Sequence, residues 1–406
     1  MTLVDDRRGP FLVLSALVFL VNFGRVTFAP LVEPLQAAFG VGPAAIGLVT
    51  TLVWVGTAAP RIPVGYLLTR VRRDRVVLAT GALLSLAGAF TALASSLTML
   101  RVGGFLVGVA SGGYFVAAIP LVGDLFPEGR GNAIGIHGTA SQVASVVAPS
   151  VVVALVAGVG LVRLVPLSGS WRGPFVLLSV GAAAVTTALW LVTRRVDLPS
   201  PGAEQADFGA ALSEWRTVAA GMSLVVAAGF VWQGTFNFYV SYLVGTKGLT
   251  TTAANSMLTV AFAAGVPAFW VSGRLADRFP QVPYLLALNG GFALALATLT
   301  AVDGTLAVAV VSAATGYVVH SLFPAVDTYM LETLPPAHRS SAYALFSGGA
   351  LLTEAGGSGA IGLLTGNGVA FDPLFRGAAG GLLALTLSFA LAYARGRYPT
   401  PSTAAD

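Results

Sequence analysis

The sequence predicts an all-α polytopic membrane protein: twelve transmembrane helices arranged as two pseudo-symmetric six-helix bundles. Three observations carry that prediction. The 406 residues are 56% hydrophobic and only 10% charged, with a mean hydropathy of +0.83, whereas a soluble domain carries roughly 25% charged residues. The apolar residues come in blocks of about 20 or more, the length that crosses a hydrocarbon core roughly 30 Å thick. Finally, landmarks in the first half of the chain return 208 residues later in the second.

The spans are expected near 11–35, 44–69, 75–95, 99–124, 131–160, 172–193, 217–244, 252–275, 281–302, 305–331, 340–364 and 374–394. Backbone groups in lipid must bond within their own segment, so stretches of this length are helices. The first, FLVLSALVFLVNFG behind MTLVDDRRGP, outruns a signal sequence and meets no small-residue cleavage site, so it reads as a retained helix. The 49 glycines suit helices that pack through small faces. Near Arg61, Pro60 and Pro63 suggest a kink in span two.

Basic residues set the orientation. With both termini cytoplasmic, that side holds Arg7, Arg8, Arg70, Arg72, Arg73, Arg75, Arg130, Arg194, Arg195, Arg216, Arg274, Arg278, Arg339, Arg395 and Arg397. The opposite side holds Arg163, Arg172, Lys247 and Arg376, with Arg101 near it. The pI near 9.7 therefore reflects topology, since these residues are strung along short loops and form no patch for nucleic acid. Zero cysteines exclude disulfides, thiolate metal sites and cysteine nucleophiles.

The polar stretch RRVDLPSPGAEQADFGAALSEW reads as a linker. It divides the chain into an N-terminal six-helix bundle over 1–193, a cytoplasmic linker over 194–216 and a C-terminal bundle over 217–406. Two pairs at one offset support the repeat. Gly65 in GYLLTRV answers to Gly273 in GRLADRF, and Pro127 in DLFPEGRG to Pro335 in ETLPPAHRS, each 208 residues apart.

These residues resemble the major facilitator superfamily. GRLADRF after span eight, its degenerate twin after span two, FPEGRGNAIG between spans four and five, and the twelve-span repeat carry the likeness over essentially the whole chain. The resemblance implies two bundles around a central cavity that opens alternately to each side, with gating elements at these loops. Gly65, Arg70, Arg130, Gly273, Asp277 and Arg278 are the gating candidates. Gly273 would permit close helix approach, and Asp277 would meet the positively polarised start of span five near Arg130. Thr69 replaces the aspartate in the first copy, so the matching contact there is expected to be weaker. The bland alternative is that these charges only mark topology.

Ionisable side chains within spans cost about 2.5–3.5 kcal/mol or more, and so need a reason. Arg25 stands near the middle of span one with Asn22 one turn earlier. Its repeat counterpart is Gln233, which shares a stripe with Asn237 and Ser241. The resemblance places spans one, four, seven and ten around the cavity. An arginine there can clamp a carboxylate or phosphate with two parallel bonds; alternatively it is tied permanently to a buried carboxylate such as Glu354 or to helix carbonyls. Span ten aligns Tyr317, His320, Pro324 and Asp327 on one stripe, and span eleven carries Glu354 near mid-depth. Arg25, Asn22, Tyr114, Gln233, Asn237, Tyr317 and His320 are the substrate-binding candidates. His320, Asp327 and Glu354 are candidates for proton coupling, with packing roles for His320 and Glu354 as the alternative.

The expected function is secondary active transport of a small solute, an organic anion being favoured by Arg25. A proton-driven multidrug or solute efflux antiporter is the alternative, although span five has Ala148 before Pro149 and no glycine after it. A non-transporting sensor would need an output domain. An intramembrane enzyme would need a paired nucleophile and base or a histidine-rich metal set; His137, His320 and His338 fall in three separate segments. No nucleotide loop, cofactor or metal site is expected. The expected setting is the cell membrane, as a multi-pass monomer binding a small molecule and protons.

Overall fold

The computed structural model describes residues 3–126, 128, 130–194, 208–335 and 339–399. Among these the chain is helical without strands. The expected landmarks Pro127 and His338, most of the linker and the C-terminal tail from Thr400 lie outside the described residues.

Helices run in the order α1 (Leu3–Val26), α2 (Val32–Phe39), α3 (Pro43–Ala58), α4 (Arg61–Leu67), α5 (Arg73–Ala92), α6 (Leu97–Leu125), α7 (Arg130–Ala157) and α8 (Gly173–Thr193). The short α9 (Phe208–Ala211) precedes α10 (Trp215–Asn237), α11 (Tyr239–Gly245), α12 (Thr251–Ala276) and α13 (Gln281–Ala301). The chain ends in α14 (Thr305–Thr333), α15 (Arg339–Glu354), α16 (Gly356–Gly366) and α17 (Phe371–Ala394). Eleven of the described segments are long and apolar enough to cross a membrane. The twelfth is the span split at Ala355 into α15 and α16.

Among the described residues, four spans are interrupted. The first breaks over residues 27–31, where Pro30 has no N–H to give and disfavours helix at Ala29. The break keeps its backbone satisfied through short-range bonds such as Ala29 N to Val26 O at 3.2 Å, as a segment without water must. The second falls at Ala59–Pro60, where the proline pair predicts it. The third separates α10 from α11 at Phe238, and the fourth α15 from α16.

The chain forms two compact units, residues 1–41 with 48–205 and residues 42–47 with 206–406. Within the first, α5 packs on α6 and α8, and α1 packs on α7. Within the second, α13 packs on α14 and α17, and α10 packs on α15 and α16. The neighbour pattern is thus repeated. It extends to single atoms: a methyl group added at Gly108 would overlap the carbonyl oxygen of Val53, and one at Gly316 that of Ala261. Both glycines and both carbonyls stand 208 residues apart. Small residues let the backbones approach this closely, which is how helices associate in lipid.

Candidate functional site

In the N-terminal half the polar centre gathers at the end of α1. Arg25 occupies the last turn of that helix, one residue before the break, and not the interior of a continuous span as the sequence suggests. A cation there complements the negative end of the helix dipole. Its Nη2 donates to Asn22 Oδ1 at 2.5 Å. Asn22 is itself fixed from α7, its Nδ2 donating to Ser141 O and to Ser145 Oγ, both at 2.7 Å.

The Arg25 guanidinium carbon lies 5.0 Å from the ring centre of Trp54 and 4.8 Å from that of Phe115. Two aromatic faces therefore stabilise the cation without neutralising it. Its Nε is buried and has no hydrogen-bond partner. Among the described residues of this half, no carboxylate pairs with Arg25; the ion pairs there join Arg72 to Asp74 and Arg73 to Asp124.

Tyr114, expected to face the substrate, is fully buried in the packing of its own half. Its hydroxyl lies 2.8 Å from Leu14 O and 2.9 Å from His137 Nε2. The single hydroxyl hydrogen serves the carbonyl, which can only accept, so His137 Nε2–H donates to the phenol oxygen. With its hydroxyl committed on both sides, Tyr114 ties α6 to α1 and α7.

In the C-terminal half Gln233 and Asn237 occupy the last two turns of α10, and Ser241 follows in α11. Asn237 Nδ2 donates to Gln233 O at 2.7 Å and to Ser358 Oγ at 2.8 Å, and Ser358 Oγ donates back to Gln233 O at 2.8 Å. These bonds join the third break to α16. They leave Gln233 Oε1, Asn237 Oδ1 and Ser241 Oγ buried without partners, one turn apart on the same stripe. Unpaired buried oxygens cost about 1–3 kcal/mol each, so a row of them is a place where hydrogen-bond donors are wanted.

His320 stands in a box of rings. Trp232, Phe262, Phe269 and Phe323 have centroids 5.7, 5.8, 6.1 and 6.2 Å from the imidazole. Gly265 makes room for it, since a methyl group there would come within 2.6 Å of its Cγ. Nδ1 lies 2.7 Å from Gly316 O, so Nδ1 carries the hydrogen and Nε2 is the position a further proton would take. Tyr317 is half-buried on the same helix. Asp327 accepts a hydrogen bond from Tyr343 OH at 2.6 Å. Glu354 is buried, its carboxyl pressed against Gly229 at the last residue of α15.

The gating candidates divide by copy. After α4, Arg70 donates to Tyr66 OH and its guanidinium lies 4.8 Å over that ring, while Thr69 Oγ1 donates to Tyr66 O at 2.8 Å. Gly65 lies within α4. In the second copy Asp277 and Arg278 are exposed just beyond α12, and Arg274 stacks 3.5 Å over Trp270. The close approach expected at Gly273 is not made within its own half, where a methyl group would meet nothing within 4 Å. The side chain of Arg130 lies outside the described residues.

Sequence reasoning misses the aromatic pair around Arg25, the serines that fix Asn22, and His137. Trp54 and Phe115 come from distant helices, and only the repeat offset, which links them to Phe262 and Phe323, could single them out. Among the described residues no cluster of three metal-ligating side chains exists.

No curated protein matches the chain by sequence. A D-xylose–proton symporter shares the fold at TM-score 0.76 and 15% identity, over 97% of this chain and 98% of that one. A bacterial homolog of the human lysosomal transporter Spinster matches in an inward-facing occupied form at TM-score 0.71 and 18% identity, over 95% and 94%. Its inward-facing unoccupied form matches at 0.68 and 19%, over 96% of each chain. The family description Major Facilitator Superfamily matches residues 14–309 and 222–406, so this chain, a twelve-helix membrane protein in two halves, belongs to the major facilitator superfamily of transporters.

Proposed function

We propose that the protein moves a small organic anion by alternating access, with Arg25 as the anion clamp and movement coupled to protons. The observation that supports this most is the state of Arg25. Its guanidinium is oriented by Asn22, faced by two rings, and keeps a buried Nε without a partner. A carboxylate arriving there finds a planar, permanently charged fork already positioned. Within the C-terminal half, the unpartnered row of Gln233, Asn237 and Ser241 oxygens suits hydroxyl or amide donors.

For the proton we favour Glu354, a buried carboxyl next to a helix break, over His320, which is boxed by rings, with Asp327 as the second candidate. A buried ionisable group within a span is a functional position by default, and one structural neighbour is described as a proton symporter. The charge count of the loops supports cytoplasmic termini in a cell membrane. Asp277 and Arg278, exposed and adjacent, remain our gating pair.

The test is uptake of labelled carboxylates and their neutral amides into proteoliposomes, with and without an inward proton gradient. Saturable uptake of a carboxylate, accelerated by the gradient and lost in Glu354→Gln, is the expected result. Equal uptake of the neutral analogue would refute the anion reading. A gradient that changes nothing would refute the coupling.

A further inference from the structure

At the end of the N-terminal half that carries Arg72 to Arg75, α5 and α8 border a half-open pocket of about 410 Å³ lined by Arg72, Asp74, Arg75, Leu78, Trp190, Thr193 and Arg194. Its charges do not cancel. Asp74 is engaged by Arg72, whose Nε and Nη2 donate to its two oxygens at 3.0 and 3.3 Å. Arg73 pairs instead with Asp124, and the Thr193 hydroxyl donates to Leu189 O at 2.8 Å. Arg75 and Arg194 remain: both are exposed, and neither has an ion pair among the described residues. The Arg194 guanidinium lies 4.2 Å over the ring of Trp190, which presents that cation at the cavity edge.

The surroundings are those of a membrane boundary. Trp190 is 46% exposed at the end of a span, where tryptophan settles at headgroup level. Leu191 and Val180 on α8 and Leu86 on α5 are exposed as well, and an exposed apolar residue on a spanning helix faces acyl chains. A cationic cavity opening beside lipid-facing surface fits a molecule with an anionic head and an apolar tail.

We propose that this cavity binds the phosphodiester headgroup of an anionic phospholipid, held by Arg75 and Arg194 with its chains along α5 and α8. Two guanidinium groups can each offer paired N–H donors to phosphate oxygens. The site is separate from the solute site at Arg25 and does not depend on it.

Purified full-length protein titrated with short-chain phosphatidylglycerol and with phosphatidylcholine of the same chains, read by native mass spectrometry, tests this. The expected preference is at least about tenfold for the anionic lipid. Each basic residue near the surface is worth about fivefold in affinity. Arg75→Gln with Arg194→Gln should therefore cost about twenty-fivefold for phosphatidylglycerol and leave phosphatidylcholine unchanged. Should the double variant not fold, the parent protein gives the same answer: raising salt from about 0.1 to 0.5 M should weaken the anionic lipid alone. Equal binding of the two lipids, or full binding by the double variant, would overturn the proposal. Displacement of the lipid by millimolar inorganic phosphate would assign the cavity to a soluble anion and overturn it too.

Discussion

In the N-terminal half the rings of Trp54 and Phe115 face a guanidinium, at 5.0 and 4.8 Å from Arg25. In the C-terminal half Phe262 and Phe323, each 208 residues further on, face an imidazole, with centroids 5.8 and 6.2 Å from His320. The aromatic frame is kept and its occupant is changed. The same holds along the first long helix of each half, where Arg25 answers to the neutral Gln233. By contrast the Gly108–Val53 contact returns as Gly316–Ala261. What helix packing requires is present twice, because both bundles bury the same kind of interface. On our reading the charge at Arg25 is there to hold a solute, and its counterpart position, Gln233, carries none.

This comparison can be broken in order of effect. Gly108→Ala and Gly316→Ala each drive a methyl group into a carbonyl oxygen of a facing helix, so each should cost about 1–3 kcal/mol. Thermal denaturation of the two variants should give similar drops; a drop in only one would show that the packing repeat is not energetically equal. Gln233→Leu is the next step down. It removes a buried oxygen that has no partner, so the fold should hold or gain while solute affinity falls about tenfold. Loss of stability with unchanged affinity would make Gln233 structural. The smallest effect belongs to the loops. Asp277 is exposed, and exposed charge pairs contribute about 0.2–1 kcal/mol, so Asp277→Asn should slow turnover by no more than about fivefold at normal expression. Thr69→Asp, which restores the repeat's charge, should be tolerated. If Asp277→Asn transports at the parental rate, the charged loop marks topology alone.

The spans were legible because lipid imposes a long apolar run on each, and that run survives any sequence noise at its ends. Asn22 beside Arg25 was legible too, since a three-residue step is one helical turn. The breaks were legible only where proline announces them. Pro60 and Pro63 forecast the end of α3, but nothing local marks Phe238, where Asn237 and Ser358 recruit the carbonyl of Gln233 instead. The break after Val26 moved Arg25 from the interior of a helix to its end. Tyr114 shows the converse limit. Its place in span four makes it a candidate for the substrate, yet its hydroxyl is committed to Leu14 and His137, contacts made 100 and 23 residues away.

The central claim is that Arg25 is an anion clamp, and Arg25→Lys tests it most directly. Lysine keeps the charge and the snorkelling stem but loses the planar fork, so it cannot reproduce two parallel bonds to a carboxylate. Charge-assisted bonds are worth about 1.5–3 kcal/mol. Binding of a transported carboxylate, measured by isothermal titration on purified protein, should therefore weaken by about ten- to a hundredfold at an unchanged melting temperature. Parental affinity in Arg25→Lys, with or without a loss of stability, would contradict the claim and leave Arg25 as part of the scaffold.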